Sequence, residues 1–283
     1  MSCLSWNCRG LGNPSTVQVL VDLIHSKKPN IVFLIETFVG LRRLQPIKQR
    51  LGYAGLFSVD SIGHRGGLAL LWKEGTEVDI KSFSANHIDA EVCLSSGDLK
   101  WRFTGFYGCP ERVRRSESWN LLKQLAVRNS LPWVVLGDFN DILYPNEKRG
   151  GNPQPRRLIE GFSDTVETSG LRDFKFEGYQ YTWEQSKGTP NWVEAKLDRI
   201  LTSDTWCELF PSAKATSVIV SKSDHLPLFL EVLPNNNHRQ KARFKFENLW
   251  LRDNTSREIM IESWSRSSGL HLMDRIGRCG KAI

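Results

Sequence analysis

Two short stretches constrain this chain more than any other part of it. Ile31-Val32-Phe33-Leu34-Ile35 and Trp133-Val134-Val135-Leu136 are uninterrupted apolar runs, each the length of a strand and each reading as a strand buried on both faces. Each stops at a polar group: the first at Glu36, the second at Gly137-Asp138-Phe139-Asn140.

The segments around them alternate in type. Leu4–Asn7 is a short strand, broken by Arg9–Pro14. A helix starts near Ser15, with Val17, Leu20, Val21 and Ile24 at helical spacing, and Lys28-Pro29-Asn30 stops it. A second helix spans Leu41–Leu51. Strands follow at Leu68–Trp72, Val78–Phe83, Ala90–Leu94 and Trp101–Tyr107, separated by breaks such as Ser95–Asp98. Helices at Ser116–Arg128 and Arg156–Thr168 flank the second apolar run, and strands at Lys196–Leu201, Ala213–Val220 and Leu226–Val232 close the series. The order is neither a uniform strand–helix alternation nor all-β. Two sheets packed face to face with helices outside accommodate it.

Composition narrows the class. With 40% hydrophobic and 24% charged residues, the chain has enough apolar content for a core, which excludes a disordered protein. No apolar run approaches the roughly 20 residues of a membrane span, so no membrane partner is expected. The formal charge is +7, but ten of the 38 Lys+Arg and only five of the 31 Asp+Glu fall in residues 235–283. The turn-prone Pro234–His238 coincides with this shift. Residues 1–234 read as one domain and 235–283 as a basic tail. Six scattered cysteines without a C-x-x-C pair argue against zinc modules and disulfide frameworks, and Met1–Asn7 lacks the pattern of a secretory signal. An intracellular protein is expected.

Strands repeatedly end in groups that could do chemistry. Asn7 ends the first, Glu36 the second and Tyr107 a third; Asp138 and Asn140 follow the second apolar run, Asp198 lies in Lys196-Leu197-Asp198-Arg199, and Asp224-His225 precede the closing strand. Loops at strand ends converge on one face of such a sandwich. Convergence would supply oxygen ligands for a hard cation, a water-orienting carboxylate and a His–Asp pair. Singly, each has a plainer reading: Glu36 as a solvated strand end, Gly-Asp-Phe-Asn as a turn, Tyr107 as core packing, His225 as a structural histidine, and Asp198–Arg199 as an exposed ion pair.

Together the motifs Ser5-Trp6-Asn7, Ile35-Glu36-Thr37, Phe106-Tyr107-Gly108, Gly137-Asp138-Phe139-Asn140, Leu197-Asp198-Arg199 and Ser223-Asp224-His225 resemble the endonuclease/exonuclease/phosphatase superfamily over residues 3–233. Ser5–Gly12, Gly66–Ala69, Glu147–Gly151 and Tyr181–Trp183 are similar to the apurinic-like endonuclease domains of plant LINE-type (non-LTR) retrotransposons. The tail segment Phe244–Leu251 resembles the stretch leading such domains toward a reverse transcriptase, so the resemblance implies that 235–283 is a truncated linker, expected to contact a reverse transcriptase in a full-length element. No obligate protein partner is evident.

The resemblance implies an α/β (α+β) fold, a four-layered sandwich of two mixed sheets flanked by helices, and Mg²⁺-dependent phosphodiester hydrolysis, with Mn²⁺ able to substitute. It places Glu36 on the metal with Asn7 and Asp224 near it. Asp138 activates the attacking water, and Asn140 holds that carboxylate and contacts the phosphate. His225, buttressed by Asp198, donates to a phosphate oxygen, and Tyr107 contacts the same phosphate or the leaving group. DNA is the expected substrate and the nucleus the expected location, with the cytoplasm as alternative. Arg112, Arg114, Arg115, Lys148 and Arg149 offer backbone contacts; a solvated face is their plainer reading. Two departures stand out. Arg9 occupies a position where repair relatives carry an acidic residue, and Glu111 follows Pro110 where they carry a phosphate-contacting Asn. The alternatives are a catalytically silent nucleic-acid-binding remnant, and a phosphatase or phosphodiesterase of the same superfamily acting on another ester.

Overall fold

The structure is a computed structural model that describes residues 1–61, 66–94, 99–128, 130–232, 254–269 and 275. The chain divides into two compact units, Met1–Asn235 and Asn236–Ile283. The Ser95–Asp98 break, the Pro234–His238 boundary and the Phe244–Leu251 segment lie outside the described residues.

The first sheet contains β1 (Ser2–Asn7), β2 (Ile31–Ile35), β3 (Gly55–Val59) and β4 (Leu68–Trp72). The second contains β5 (Thr76–Ser84), β6 (His87–Leu94), β7 (Lys100–Tyr107) and β8 (Trp133–Asp138). Three short strands, β9 (Lys148–Arg149), β11 (Trp183–Gln185) and β12 (Val193–Ala195), form a separate sheet in the order β11-β12-β9. Adding β10 (Arg172–Asp173) and β13 (Asp198–Thr202) gives the second sheet the order β10-β13-β8-β7-β6-β5. Adding β14 (Lys214–Ser217) and β15 (Leu228–Glu231) gives the first the order β14-β15-β1-β2-β4-β3. Both six-stranded sheets are mixed: β1 runs parallel to β2 and antiparallel to β15, and β8 runs parallel to β7 and antiparallel to β13.

Side-chain alternation explains the layering. Along β2, Ile31, Phe33 and Ile35 face the second sheet and meet Ala90, Phe103 and Leu136 in one buried cluster. Val32 and Leu34 point the other way, into a cluster with helices α1 (Pro14–Lys27) and α2 (Leu41–Leu51). Phe106, Val135 and Leu201 leave the far face of the second sheet and pack against α3 (Arg115–Ala126) and α4 (Arg156–Thr168). The result is the expected four-layered α/β sandwich. The sheets approach closely at Gly105, where a Cβ would lie 2.4 Å from the Phe33 ring.

Local signals set the helix ends. Asn13 accepts from the Ser15 amide, Pro14 occupies the first turn, and Lys28 closes α1 in the left-handed conformation. Several expected boundaries move. The strand expected at Lys196 begins at Asp198, because Thr182 Oγ1 takes the amides of Leu197 and Asp198 at 3.0 and 2.8 Å. β14 ends at Ser217 rather than Val220, and a 3₁₀ turn over Arg112–Arg114 precedes α3. β3, the small sheet and the short helix α5 (Asp204–Leu209) add to the expected elements.

Cys3, Cys8, Cys109 and Cys207 carry free thiols, and burial pushes those of Cys3 and Cys8 up to about 12. No helix among the described residues is long and apolar enough to cross a membrane. In the second unit, helix α6 (Asn254–Arg266) carries Trp264, over whose ring Arg275 lies at 3.9 Å.

His87 gives the first unit a pH dependence. Its ring nitrogens face the hydroxyls of Ser82 at 3.0 Å and Ser84 at 2.8 Å. Burial lowers its pKa to about 4, and Arg128 and Arg102 add to this against the pull of Asp89. The neutral ring is therefore the native form. Its contribution is complete above the unfolded value near 6.5 and is lost as pH falls toward about 4. Thermal melts from pH 7 to 4.5 are expected to show wild-type Tm falling several degrees more steeply than that of His87→Gln; parallel slopes would remove His87 as the cause.

Candidate active site

The register of the two sheets brings the strand-end groups together. In the second sheet Tyr107 pairs across from Asp138, and Asp138 across from Asp198. In the first, Asn7 pairs across from Ile35, with Glu36 one residue beyond. The two sets meet where Asn7 Nδ2 donates to Asp138 Oδ2 at 3.0 Å. A cleft of about 460 Å³ opens over them, lined by Arg9, Glu36, Asp138, Asn140, Trp183 and His225 among others.

The backbone here is strained. Among the described residues, five of the seven non-glycine residues with positive φ are Arg9, Glu36, Phe38, Asn140 and Ser223. Each belongs to a loop at the site, and such conformations cost of order 1–3 kcal/mol each. Surrounding packing holds them. Gly137 permits the approach of β8 to β7, since a Cβ there would lie 1.8 Å from the Phe106 carbonyl oxygen.

Asp138 is buried and held from two sides. Asn7 donates to Oδ2, and the Asn140 amide donates to Oδ1 at 2.9 Å. Asn140 thus holds the carboxylate as expected, but through its backbone; its side chain donates to the Gly108 carbonyl at 3.0 Å. Burial raises the Asp138 pKa to about 6, with Asp198 adding to the rise and His225, Asn7 and Asn140 opposing it.

His225 lies between two carboxylates. Nδ1 is 2.8 Å from Asp198 Oδ2, and Nε2 is 3.8 Å from Asp138 Oδ2. Burial alone would lower its pKa, but Asp198, Asp138 and the hydrogen bond to Asp198 overcome it and raise the value to about 9. At neutral pH the ring carries both protons. Asp198 and Arg199 are buried rather than an exposed pair, and each faces a different partner.

The remaining groups form an oxygen-rich set. Tyr107 Oη donates to Glu36 Oε1 at 2.8 Å, and burial together with Glu36 and Asp138 raises its pKa, so the hydroxyl keeps its proton. The hydroxyl proton of Tyr107 is thus directed at Glu36. Trp183 Nε1 donates to Asp224 Oδ2 at 3.0 Å, whereas Asp224 Oδ1 is buried and makes no hydrogen bond. Asn7 Oδ1 receives only a long contact from the Arg9 amide, at 3.4 Å.

Two groups could be considered for a metal. Asp138, Asp198 and His225 each offer an atom within 4.8 Å of the others. An imidazole that holds both protons has no free lone pair, so this trio handles protons rather than a cation. Glu36, Asp224 and Asn7 offer two carboxylates and an amide oxygen, Asp224 Oδ1 among them accepting no hydrogen bond, and this donor set fits a hard divalent cation.

The basic residues divide. Arg112, Arg114 and Arg149 are exposed, Arg114 pairing with Glu117 at 2.8 Å. Lys148 lines the cleft and donates to the Asn152 carbonyl. Arg115 also lines the cleft, but it is buried and bonded to Asp141 at 2.9 Å. Sequence reading also passed over the supports. Ser223 Oγ donates to the Asn7 carbonyl at 2.7 Å and Trp6 Nε1 to the His225 carbonyl at 3.1 Å. Thr182 and Trp183 belong to the Tyr181–Trp183 motif, but their partners, the Leu197 and Asp198 amides and the Asp224 carboxylate, lie well beyond it in sequence.

Comparison with solved structures places the fold among nucleases. The 3′-5′ exonuclease NExo from Neisseria meningitidis is 17% identical with a TM-score of 0.61, the match covering 82% of this chain and 99% of that one. The endonuclease domain of TRAS1, a telomere-specific non-LTR retrotransposon, is 14% identical at 0.61, covering 83% and 99%. An AP endonuclease from Archaeoglobus fulgidus is 17% identical at 0.62, covering 82% and 99%. No curated protein sequence matches. Residues 4–225 match the Endonuclease/Exonuclease/phosphatase family, to which the chain therefore belongs, with the phosphodiester-hydrolase fold of that family.

Proposed function

We propose that this protein is a divalent-metal-dependent DNA endonuclease of the plant LINE-type retrotransposon kind. It nicks one strand and leaves a 3′-hydroxyl from which reverse transcription is primed, and it acts in the nucleus. The observation that carries the reading is the Asp198–His225–Asp138 assembly opening on a cleft beside Glu36 and Asp224. Similarity of fold to the TRAS1 endonuclease domain supports a DNA substrate.

Glu36 and Asp224, with Asn7 Oδ1, would hold the cation, Mg²⁺ or Mn²⁺, which neutralises charge on the phosphodiester. Asp138, fixed by two donors and ionised at neutral pH, orients a water and accepts its proton. His225 presents Nε2–H to a non-bridging oxygen, and Asp198 fixes its orientation. Arg112, Arg114, Lys148 and Arg149 border this region and contact the DNA backbone.

The test is conversion of supercoiled plasmid to the nicked circle. Nicking is expected with Mg²⁺, is abolished by EDTA, leaves ends that a polymerase extends, and falls about 10²–10³-fold in His225→Ala. Metal-independent nicking that survives this substitution would refute the reading. Salt-sensitive binding without cleavage would favour a silent remnant. Release of phosphate from monoesters, with plasmid left intact, would favour a phosphatase.

A further inference from the structure

One cation already stands where the carboxylates converge. Arg9 Nε lies 3.6 Å from Glu36 Oε2 and 3.4 Å from Asp224 Oδ1, on a side chain about half exposed. The chain turns sharply there, with φ of +50° at Arg9 and +109° at Gly10, which delivers the side chain back over the end of β1. Both contacts exceed the 2.7–2.9 Å of a tight charge-assisted hydrogen bond, and Asp224 Oδ1 has no hydrogen bond at all. Charge holds the guanidinium in place, and no directional bond locks it there.

Arg9 also stands on a ridge. It lines the catalytic cleft and a neighbouring cavity of about 700 Å³ that includes Phe38, Asn86, Glu111 and Arg114. A polynucleotide crossing from one to the other would bring a phosphate within reach of this side chain. A planar guanidinium pairs better with phosphate, through two parallel hydrogen bonds, than with two carboxylates it touches at long range.

We infer that Arg9 is an exchangeable counter-ion: it neutralises Glu36 and Asp224 in the free protein and transfers to a substrate phosphate, which frees both carboxylates for a divalent cation. This deepens the hydrolase reading and rests on it. Metal and DNA then bind with positive coupling, because each removes the competitor of the other, and the coupling is reciprocal. Without DNA, a divalent ion must displace Arg9. Without Arg9, the two carboxylates hold no cation and take the metal directly.

The experiment is a Mn²⁺ titration of the full chain, followed by the electron paramagnetic resonance signal of free Mn²⁺, with and without a short phosphorothioate duplex that resists cleavage. Wild type is expected to bind Mn²⁺ about tenfold more tightly when the duplex is present. Arg9→Gln should bind Mn²⁺ alone about tenfold more tightly than wild type and gain little from the duplex. Arg9→Lys, which keeps the charge but not the two-pronged donor, should bind Mn²⁺ alone as wild type does and gain less from the duplex. Circular dichroism verifies that each variant is folded, and the wild-type arm stands without any variant. Equal Mn²⁺ affinity with and without duplex in wild type, or a tenfold gain that persists in Arg9→Gln, overturns the exchange. If Mg²⁺-dependent nicking continues in that case, the hydrolase reading survives it. Absence of Mn²⁺ binding in every chain overturns both.

Discussion

Asp138→Asn is expected to lower the rate of plasmid nicking by about a thousandfold, with duplex binding and Tm close to wild type. The rate loss follows from the position of this carboxylate. It is buried, its proton affinity is raised by burial to about 6, and it lines the cleft while two donors fix it. A base with these properties contributes on the order of 10²–10⁴-fold. The asparagine has the same shape but cannot take a proton, and its amide nitrogen is matched when the Asn7 side chain turns its oxygen toward it. Stability is spared because the ionised carboxylate is itself penalised by burial at neutral pH: a folded value raised above the unfolded one means that charging the group costs the native state. Single-turnover nicking beside a melting curve decides the matter. A variant that nicks within tenfold of wild type would remove Asp138 as the base, and a large fall in Tm would make its role structural.

The second large effect is structural and lies beside the first. Arg199 is fully buried and binds the Glu147 carboxylate through both terminal nitrogens, with Asp173 at 3.3 Å and the Lys196 carbonyl at 3.2 Å. Lys196 Nζ completes the cluster at 2.6 Å from Asp173. Burial by itself would raise the Glu147 pKa, but Arg199 and Lys196 win and hold it low. Glu147 also accepts from the Leu143 and Tyr144 amides, so the cluster pins the segment that carries Lys148 to the second sheet. Arg199→Met would take the two-pronged partner from Glu147 and a second cation from Asp173, leaving Lys196 as the cation beside both half-buried carboxylates. Loss of one partner from such a cluster costs about 3–5 kcal/mol, and at this chain length Tm should fall by about 10 °C. Adding Glu147→Gln should recover part of the loss, because the two sites share one interaction. A Tm within 2–3 °C of wild type, about 1 kcal/mol by the same conversion, would show that repacking compensates.

Apolar periodicity carried most of the fold. β2, β8, α1, α2 and α4 stand at or near their expected positions because each buries a face whose spacing is written locally. β3 escaped notice because all five of its residues are only half-buried at a sheet edge. The small sheet escaped because its strands are two or three residues long and rich in polar side chains. Such strands exist by tertiary contact alone. In the site, residue types and order pointed to the convergence of Glu36, Asp138 and His225, but not to partnership. Asn7 turns its amide nitrogen to Asp138, a residue 131 positions away. Arg115 belongs to a basic run in the sequence and to a buried ion pair in the fold, because Asp141 is visible to it only after folding. Local chemistry names the parts of a site; which part holds which is decided by strand register.

The pairing of β1 with β15 has a consequence for biosynthesis. Residues 2–5 lie against 228–231, and the Ser223 hydroxyl that closes over Asn7 belongs to the same late segment. A nascent chain can match β1 to β2 early, but the central strand keeps one open edge until nearly the whole unit has left the ribosome. Contacts this distant in sequence form slowly and leave apolar edges exposed meanwhile. The same event that closes the sheet also delivers His225 to Asp138. Assembly of the proposed site and completion of the fold therefore arrive together, and an unfinished chain carries Glu36 and Asp138 without the imidazole of His225 beside them.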